Sequence, residues 1–305
     1  MTILPESCSS AVDKEHFSVS IGLDSPLVGG DVDDGTYTQV VDILKRQQHF
    51  LLEGYKDLCI RRRLAARIRA AGYRNPQEYI ELLAEDSREQ EQLLAALSVH
   101  VSHFFRNPSM FKRLEKVIIP ELQERTRLER CKLRIWCVGC AYGEEPYSVA
   151  LLCQKGQIKK DMVSIIATDL SPEALRTARQ GRFPSARLQN VPESMIQEFF
   201  REDAGKLKLA VKVRELVQFF RHDILTDSPF YRAELILCRN LLIYFSREQQ
   251  IRILKKLAEA LLPGGYLVLG RAETMAPVCR ALFHCVDPAE RIYQRIVSDR
   301  QIQLI

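Results

Sequence analysis

Between residues 133 and 270 four short apolar runs, "LRIWCV" (133–138), "VSIIAT" (163–168), "AELILC" (233–238) and "GYLVLG" (265–270), alternate with stretches of helical periodicity at 145–155, 171–180 and 246–261. No other feature constrains the fold as strongly. The runs are rich in β-branched residues, bounded by turn residues and apolar almost throughout, as strands covered on both faces must be. Strands separated by helices build a parallel sheet with right-handed crossovers, so the expected fold class is α/β. Between the second and third runs the rhythm breaks, and "LKLAVKVRELVQFF" reads as a hairpin-like excursion. Near the C-terminus "ALFHCV" and "ERIYQRIV" are expected to form an antiparallel pair at one edge of the sheet.

The preceding third has a different pattern. Residues 1–36 read as a disordered acidic leader, in which seven acids face one lysine through residue 35. Residues 37–120 read as an all-helical domain, with Val40, Val41, Leu44, Leu51 and Leu52 at helical spacing. Within "LCIRRRLAARIRAAGY" the residues Leu58, Leu64 and Ile68 are expected on one side and the arginines on the other. Gly72 stops that helix, and Pro76 falls in the first turn of the next. The charged segment 121–132 reads as a linker, 133–298 as the α/β domain and 299–305 as a tail.

The net charge of +5 conceals the acidic leader, because the remainder carries 43 basic and 32 acidic residues. Residues 45–74 alone hold nine basic and two acidic side chains, a surface suited to an acidic partner. No apolar run approaches the roughly 18–20 residues that cross a bilayer, and the N-terminus lacks the basic start and apolar stretch of a signal peptide, so no membrane insertion and a cytoplasmic location are expected. The nine cysteines lie mostly in apolar runs and are expected reduced and buried. Cys137 and Cys140 form a lone CxxC, and His100 and His103 have no acidic or third histidine partner, so no metal site is expected.

In open α/β sheets ligands bind outside the carboxyl ends of the strands, which makes the residues after each run the ones to examine. Gly139-Cys140-Ala141-Tyr142-Gly143 lacks the lysine of a phosphate loop, and Glu144 and Glu145 at the next helix start would repel a pyrophosphate. Glycines admit a ligand close to the backbone, and the acids suit a cation or a sugar hydroxyl. Asp169, about thirty residues further on, is placed to accept hydrogen bonds from ribose hydroxyls, with Ser171 as cap and Pro172 in the first helical turn. Together these point to a cationic, phosphate-free nucleoside, which S-adenosylmethionine fits. After the third run come Arg239, Asn240 and Tyr244, without the (D/N)PP(Y/F) turn common where nitrogen is methylated, so an oxygen acceptor is favoured.

Five stretches, "SHFFRNPSMF" (102–111), "GCAYGEEPYS" (139–148), "ATDLSPEALRTARQGRF" (167–183), "LCRNLLIYFSREQQ" (237–250) and "LLPGGYLVLGRAET" (261–274), stand in the order and spacing of one family. Over about residues 37–296 the chain resembles the CheR-type chemotaxis methyltransferases, which transfer methyl from S-adenosylmethionine to receptor glutamates and release S-adenosylhomocysteine. The resemblance implies a Rossmann-like methyltransferase domain behind a helical domain, with a small antiparallel β subdomain inserted at about 205–220. It implies cofactor contacts from Ser102, Arg106, Glu145, Asp169, Asp223, Ile224, Arg239 and Asn240, beside Gly139, with Arg106 and Tyr244 facing the methyl group. His100 matches a position just ahead of this set. Ser102 stands where the family has Thr, Asp223 where it often has Asn, and Arg271 where it has a histidine close to the site.

The implied partner is an acidic face of a chemoreceptor-like coiled coil, docked by Arg61, Arg62, Arg63 and Arg67. A single glycine in "FFREDAGKLKLAVKV" replaces the glycine-rich loop with which some members grip a receptor's C-terminal peptide, so tethered binding is not expected. Two other readings compete: a non-catalytic module sensing the cofactor, against which stand Arg106, Asp169, Asn240 and Tyr244, and methylation of another acceptor. Nucleic acid is the weaker of such acceptors, because the basic helix lacks aromatic residues for stacking bases.

Overall fold

A computed structural model describes residues 32–48, 57–97, 102–229 and 232–296. Most of the expected leader, His100 and the expected tail lie outside the described residues. The first four helices, α1 (Asp34–Gln48), α2 (Asp57–Ala70), α3 (Pro76–Glu85) and α4 (Ser87–Leu97), enclose a core of their own that includes Val40, Leu44, Leu64, Ile68, Tyr79, Leu83 and Leu93. α3 starts where its sequence directs, with Pro76 in the first turn and the Asn75 side chain accepting from the Gln77 N–H. Val32 is buried against this core and α1 begins at Asp34, so ordered structure starts before the expected end of the leader at 36.

Two expectations for α2 fail. Ile60, Leu64 and Ile68 recur every four residues and are buried, whereas Leu58, two positions off that row, is 64% exposed. The arginines also do not share one free face. Arg61 pairs with Asp34 at 2.7 Å and donates to the Val32 carbonyl, Arg67 pairs with the buried Glu89, and of the four only Arg62 is exposed. A guanidinium on a long stem reaches acceptors on neighbouring helices, so position on a helix does not fix its partner.

The expected boundary at 120 and the linker at 121–132 are also corrected. α5 (Pro108–Arg113), one π-turn (Leu114–Ile118) and α6 (Ile119–Leu128) form a continuous helical stretch. Its apolar residues Phe104, Met110, Phe111, Leu114, Ile118 and Leu122 belong to the core of the sheet, and the two cores divide between Leu97 and Phe104. The charges that suggested a linker are the outer face of α6, where Arg127 pairs with Glu124 one turn back, while the Tyr266 hydroxyl donates to Glu121 at 2.8 Å and ties α6 to the sheet.

The α/β part runs β1 (Leu133–Val138), α7 (Glu144–Lys155), β2 (Val163–Asp169), α8 (Pro172–Gln180), β3 (Arg182–Phe183), α9 (Glu193–Phe199), β4 (Phe200–Asp203), β5 (Lys206–Leu209), α10 (Val211–Arg214), β6 (Val217–Arg221), β7 (Ala233–Cys238), α11 (Arg247–Ala260), β8 (Leu261–Leu269), β9 (Phe283–Asp287) and β10 (Ile292–Arg295). A seven-stranded sheet has the order β6-β2-β1-β7-β8-β10-β9, parallel through β8 and antiparallel at the β10-β9 edge, as the sequence led one to expect. The strands of the central runs are buried on both faces because separate apolar clusters cover the two sides.

The inserted unit differs from the expected 205–220. Its three-stranded antiparallel sheet, ordered β3-β5-β4, spans 182–209, and "VQFF" belongs to β6, a parallel edge strand of the main sheet beside β2. Val217 and Phe219 face the core while Gln218 and Phe220 do not, an alternation fitting one covered face that a hairpin shares. Successive strands run outward from β1 through β2 to β6, and the chain then crosses back to β7. The order reverses between β1 and β7, which opens a crevice at their carboxyl ends.

Candidate active site

The crevice is a cleft lined by Ser102, Arg106, Gly139, Cys140, Ala141, Glu145, Arg239, Asn240, Ile243 and Tyr244. Seven of the residues singled out from the sequence therefore meet in one place, drawn from the segment before α5, the loop after β1, the start of α7 and the loop after β7. Asp169 ends β2 next to them, where its carboxylate accepts from the Ala141 N–H at 2.8 Å and the Ser171 N–H at 2.9 Å. Asp223 and Ile224 follow β6 at the same end of the sheet but do not line the cleft. Asp223 accepts from the Leu225 N–H within its own turn, and Ile224 packs into the core over β7.

The segment carrying Arg106 is unusually constrained. Phe105 and Asn107, on either side of it, both adopt left-handed backbone, with φ of 50° and 64°, a conformation that costs free energy and survives only when its surroundings fix it. The fixing groups are visible. The Phe105 N–H donates to Ser148 Oγ at 2.9 Å, the Phe104 N–H to the Arg187 carbonyl at 3.0 Å, and Arg187 itself donates to the Ser102 carbonyl. Arg239 donates to the Arg106 carbonyl at 2.8 Å and to Asn107 Oδ1 at 2.6 Å.

Arg239 and Glu145 form a buried ion pair at 2.8 Å, with side-chain exposures of 2% and 13%. Burial pushes the Glu145 carboxyl up from its ordinary value, and Arg239 and then Arg106 oppose that shift. The carboxylate read from sequence as the holder of a cation is thus also the counter-ion of Arg239. His103, between Ser102 and Arg106, is held below the ordinary imidazole value by burial and by the charges of Arg106, Arg187 and Arg239.

Glu273 lies in the stretch 261–274 that the family resemblance rests on, but no role was read for it from the sequence. Its buried carboxylate accepts from the N–H groups of Asn240 at 3.0 Å, Leu242 at 2.7 Å and Gly270 at 2.6 Å, fastening the Tyr244 loop to the end of β8. Burial raises this carboxyl and the backbone donors pull it back. Gly270 is required for the approach, because a Cβ there would stand 2.8 Å from the Asn240 nitrogen. Arg271 points away from the cleft and bonds Ser109 Oγ and Glu290 at the surface. Cys137 and Cys140 are buried, and burial drives both thiols well above their ordinary range, away from the thiolate a metal or redox role needs. Among the described residues no helix is long and apolar enough to cross a membrane.

A parallel sheet with this strand order and a cleft of this make-up at its switch point define the class: a Rossmann-like methyltransferase. Residues 100–291 match the family described as "CheR methyltransferase, SAM binding domain" and residues 36–98 its "all-alpha domain". The chain belongs to the CheR methyltransferase family, and its α/β domain is an S-adenosylmethionine-binding domain. A chemotaxis protein methyltransferase of Listeria monocytogenes is 33% identical over 237 residues, 78% of this chain and 89% of that protein. Chemotaxis protein methyltransferase 2 of Pseudomonas aeruginosa is 31% identical over 244 residues, 78% of this chain and 85% of that protein. An uncharacterized 104.1 kDa protein of Rhodobacter capsulatus is 32% identical over 261 residues, 85% of this chain and 27% of that protein.

The residues present fit the cofactor. Arg239 Nε is buried with no hydrogen-bond partner among the described residues, a donor that a carboxylate of the amino-acid part would satisfy. Gly139, with φ of 69° and no side chain, leaves its backbone open, and a Cβ would meet Leu241 at 3.2 Å. The Asp169 carboxylate is an acceptor-only group, the chemistry to which ribose hydroxyls donate.

Proposed function

We propose that this protein is a protein-glutamate O-methyltransferase acting on acidic helices of chemoreceptor cytoplasmic domains, and that it works in the cytoplasm. The observation that carries this reading is the composition of the cleft: Arg106 and the Tyr244 phenol stand in it, and among the described residues Glu145, paired with Arg239, is the one carboxylate that lines it and no imidazole does. An acceptor that must lose a proton, such as an amine or amide, would need a base, whereas a glutamate is already ionised at neutral pH.

S-adenosylmethionine supplies a methyl group on a cationic sulfur. Ser102, Glu145, Asp169, Asp223, Ile224, Arg239 and Asn240 are the residues proposed to hold it. Arg106 binds one oxygen of the acceptor carboxylate by a charge-assisted hydrogen bond and leaves the other free, and the Tyr244 hydroxyl donates a second bond. Their contribution is positional, fixing the acceptor's approach, which is worth several kcal/mol when the geometry is held, about 7 at the lower end for well-oriented groups. The rigid Phe105–Asn107 backbone serves this purpose. Arg62, exposed on α2, faces the acidic receptor surface.

Purified protein incubated with methyl-labelled cofactor and a panel of receptor cytoplasmic domains should form base-labile methyl esters on glutamate. Absence of such esters across the panel, with cofactor binding intact, overturns the reading.

A further inference from the structure

We propose that the helical domain contributes a positioning residue to the active site: Arg63 of α2, acting through the ring of Tyr244. The Arg63 guanidinium carbon lies 4.8 Å from the centroid of the Tyr244 ring, and one of its nitrogens donates to the Leu97 carbonyl at the end of α4. Carbonyls in the last turn of a helix have no partner within it, so that acceptor is available and anchors the guanidinium. Arg63 is half-buried, unlike its neighbour Arg62. The four arginines therefore have separate tasks: Arg61 and Arg67 hold the helical domain together, Arg62 faces solvent, and Arg63 crosses to the catalytic domain.

The crossing has structural support on a second loop. Leu170, immediately after β2, packs against the core of the helical domain. Two loops at the carboxyl end of the sheet thus meet the same helices, which sets α2 at the mouth of the cleft. Tyr244 sits at the end of a single 3-10 turn, Leu242–Tyr244, which by itself gives a side chain little support. A cation held over one face of the ring restricts it, and a guanidinium anchored at a second acceptor does this in a way a lysine ammonium does not. Arg63 thereby keeps the Tyr244 hydroxyl in the cleft that Tyr244 lines. The inference rests on the proposed role of Tyr244 toward the acceptor carboxylate.

A double-mutant cycle on the full chain tests it. With receptor and cofactor saturating, R63A should lower kcat roughly three- to tenfold, within the range such stacking supplies. Cofactor Kd should be unchanged. In the Y244F background the ring remains but the hydroxyl is gone, so R63A should have no further effect on kcat. R63K should restore the receptor KM and not kcat. An equal loss from R63A in both backgrounds, or full recovery of kcat by R63K, overturns the proposal and leaves Arg63 as a docking charge.

A readout independent of receptor keeps the two readings apart. Nitration of Tyr244 by tetranitromethane, located by mass spectrometry, should proceed faster in R63A than in wild type while circular dichroism is unchanged. Equal rates overturn the positioning role even if esters form. A wild type that forms no esters defeats the receptor reading alone, and faster nitration in R63A would then still support the stack.

Discussion

A guanidinium at 2% exposure needs an acceptor for nearly every donor, and Arg239 finds them in Glu145, the Arg106 carbonyl and Asn107. Replacing it with Met leaves Glu145 buried without its counter-ion and frees two anchors of a left-handed backbone. Removing one partner of a buried pair costs about 3–5 kcal/mol, so Arg239→Met should lower the unfolding free energy measured in urea by that much at neutral pH. The double variant with Glu145→Gln should recover part of the loss. His103 provides a pH signature in the same segment. Its folded pKa is depressed, so the stability it contributes is present above the unfolded value, about 6.5, and is lost as pH falls through the folded one. His103→Gln should therefore flatten the dependence of stability on pH below that value, and a slope matching wild type there would count against the assignment.

At the scale of elements, the loop after β7, which carries Asn240 and Tyr244, is held to the end of β8 by Glu273. Glu273 clamps the loop after β7 through three backbone donors, and Gly270 lets β8 approach closely enough for it to do so. Gly270→Ala forces a methyl against the Asn240 nitrogen, and overpacking of this kind costs about 1–3 kcal/mol. The Asn240–Tyr244 loop is the part free to give way, so kcat should fall more than the fraction folded does, measured by ester formation beside a thermal melt. Little of this was legible beforehand. Pro76 in the first turn of α3, the cap Ser171 and the limits of β1 and β7 follow from local sequence, because caps and strand runs are set by neighbours along the chain. The insertion at 182–209 and the parallel strand β6 do not, since an apolar alternation such as "VQFF" suits a hairpin as well as a sheet edge until its partner is known.

At the scale of the whole molecule, the excess of basic charge outside residues 1–35 should speed encounter with an acidic receptor. Receptor kcat/KM should fall as salt rises toward the range where the Debye length is about 8–10 Å, with kcat nearly constant. Arg62→Glu should raise receptor KM at low salt and flatten its rise with salt, while Arg67→Ala should instead lower the stability of the helical domain, as its partner Glu89 is buried. The sequence by itself determined the α/β class and the ordered motifs of the family, and the residues after each strand together with the family resemblance named seven of the residues that line the cleft, because strand periodicity and motif order are properties of the chain itself. It also showed that α2 is basic. Only the tertiary structure decided what each arginine does, that Glu145 is the counter-ion of Arg239, that Glu273 fastens the Tyr244 loop, and that the two cores divide at Leu97 rather than at 120. The physical reason is common to all four: side chains, charged or apolar, choose partners across space, and distance along the chain carries no record of that choice.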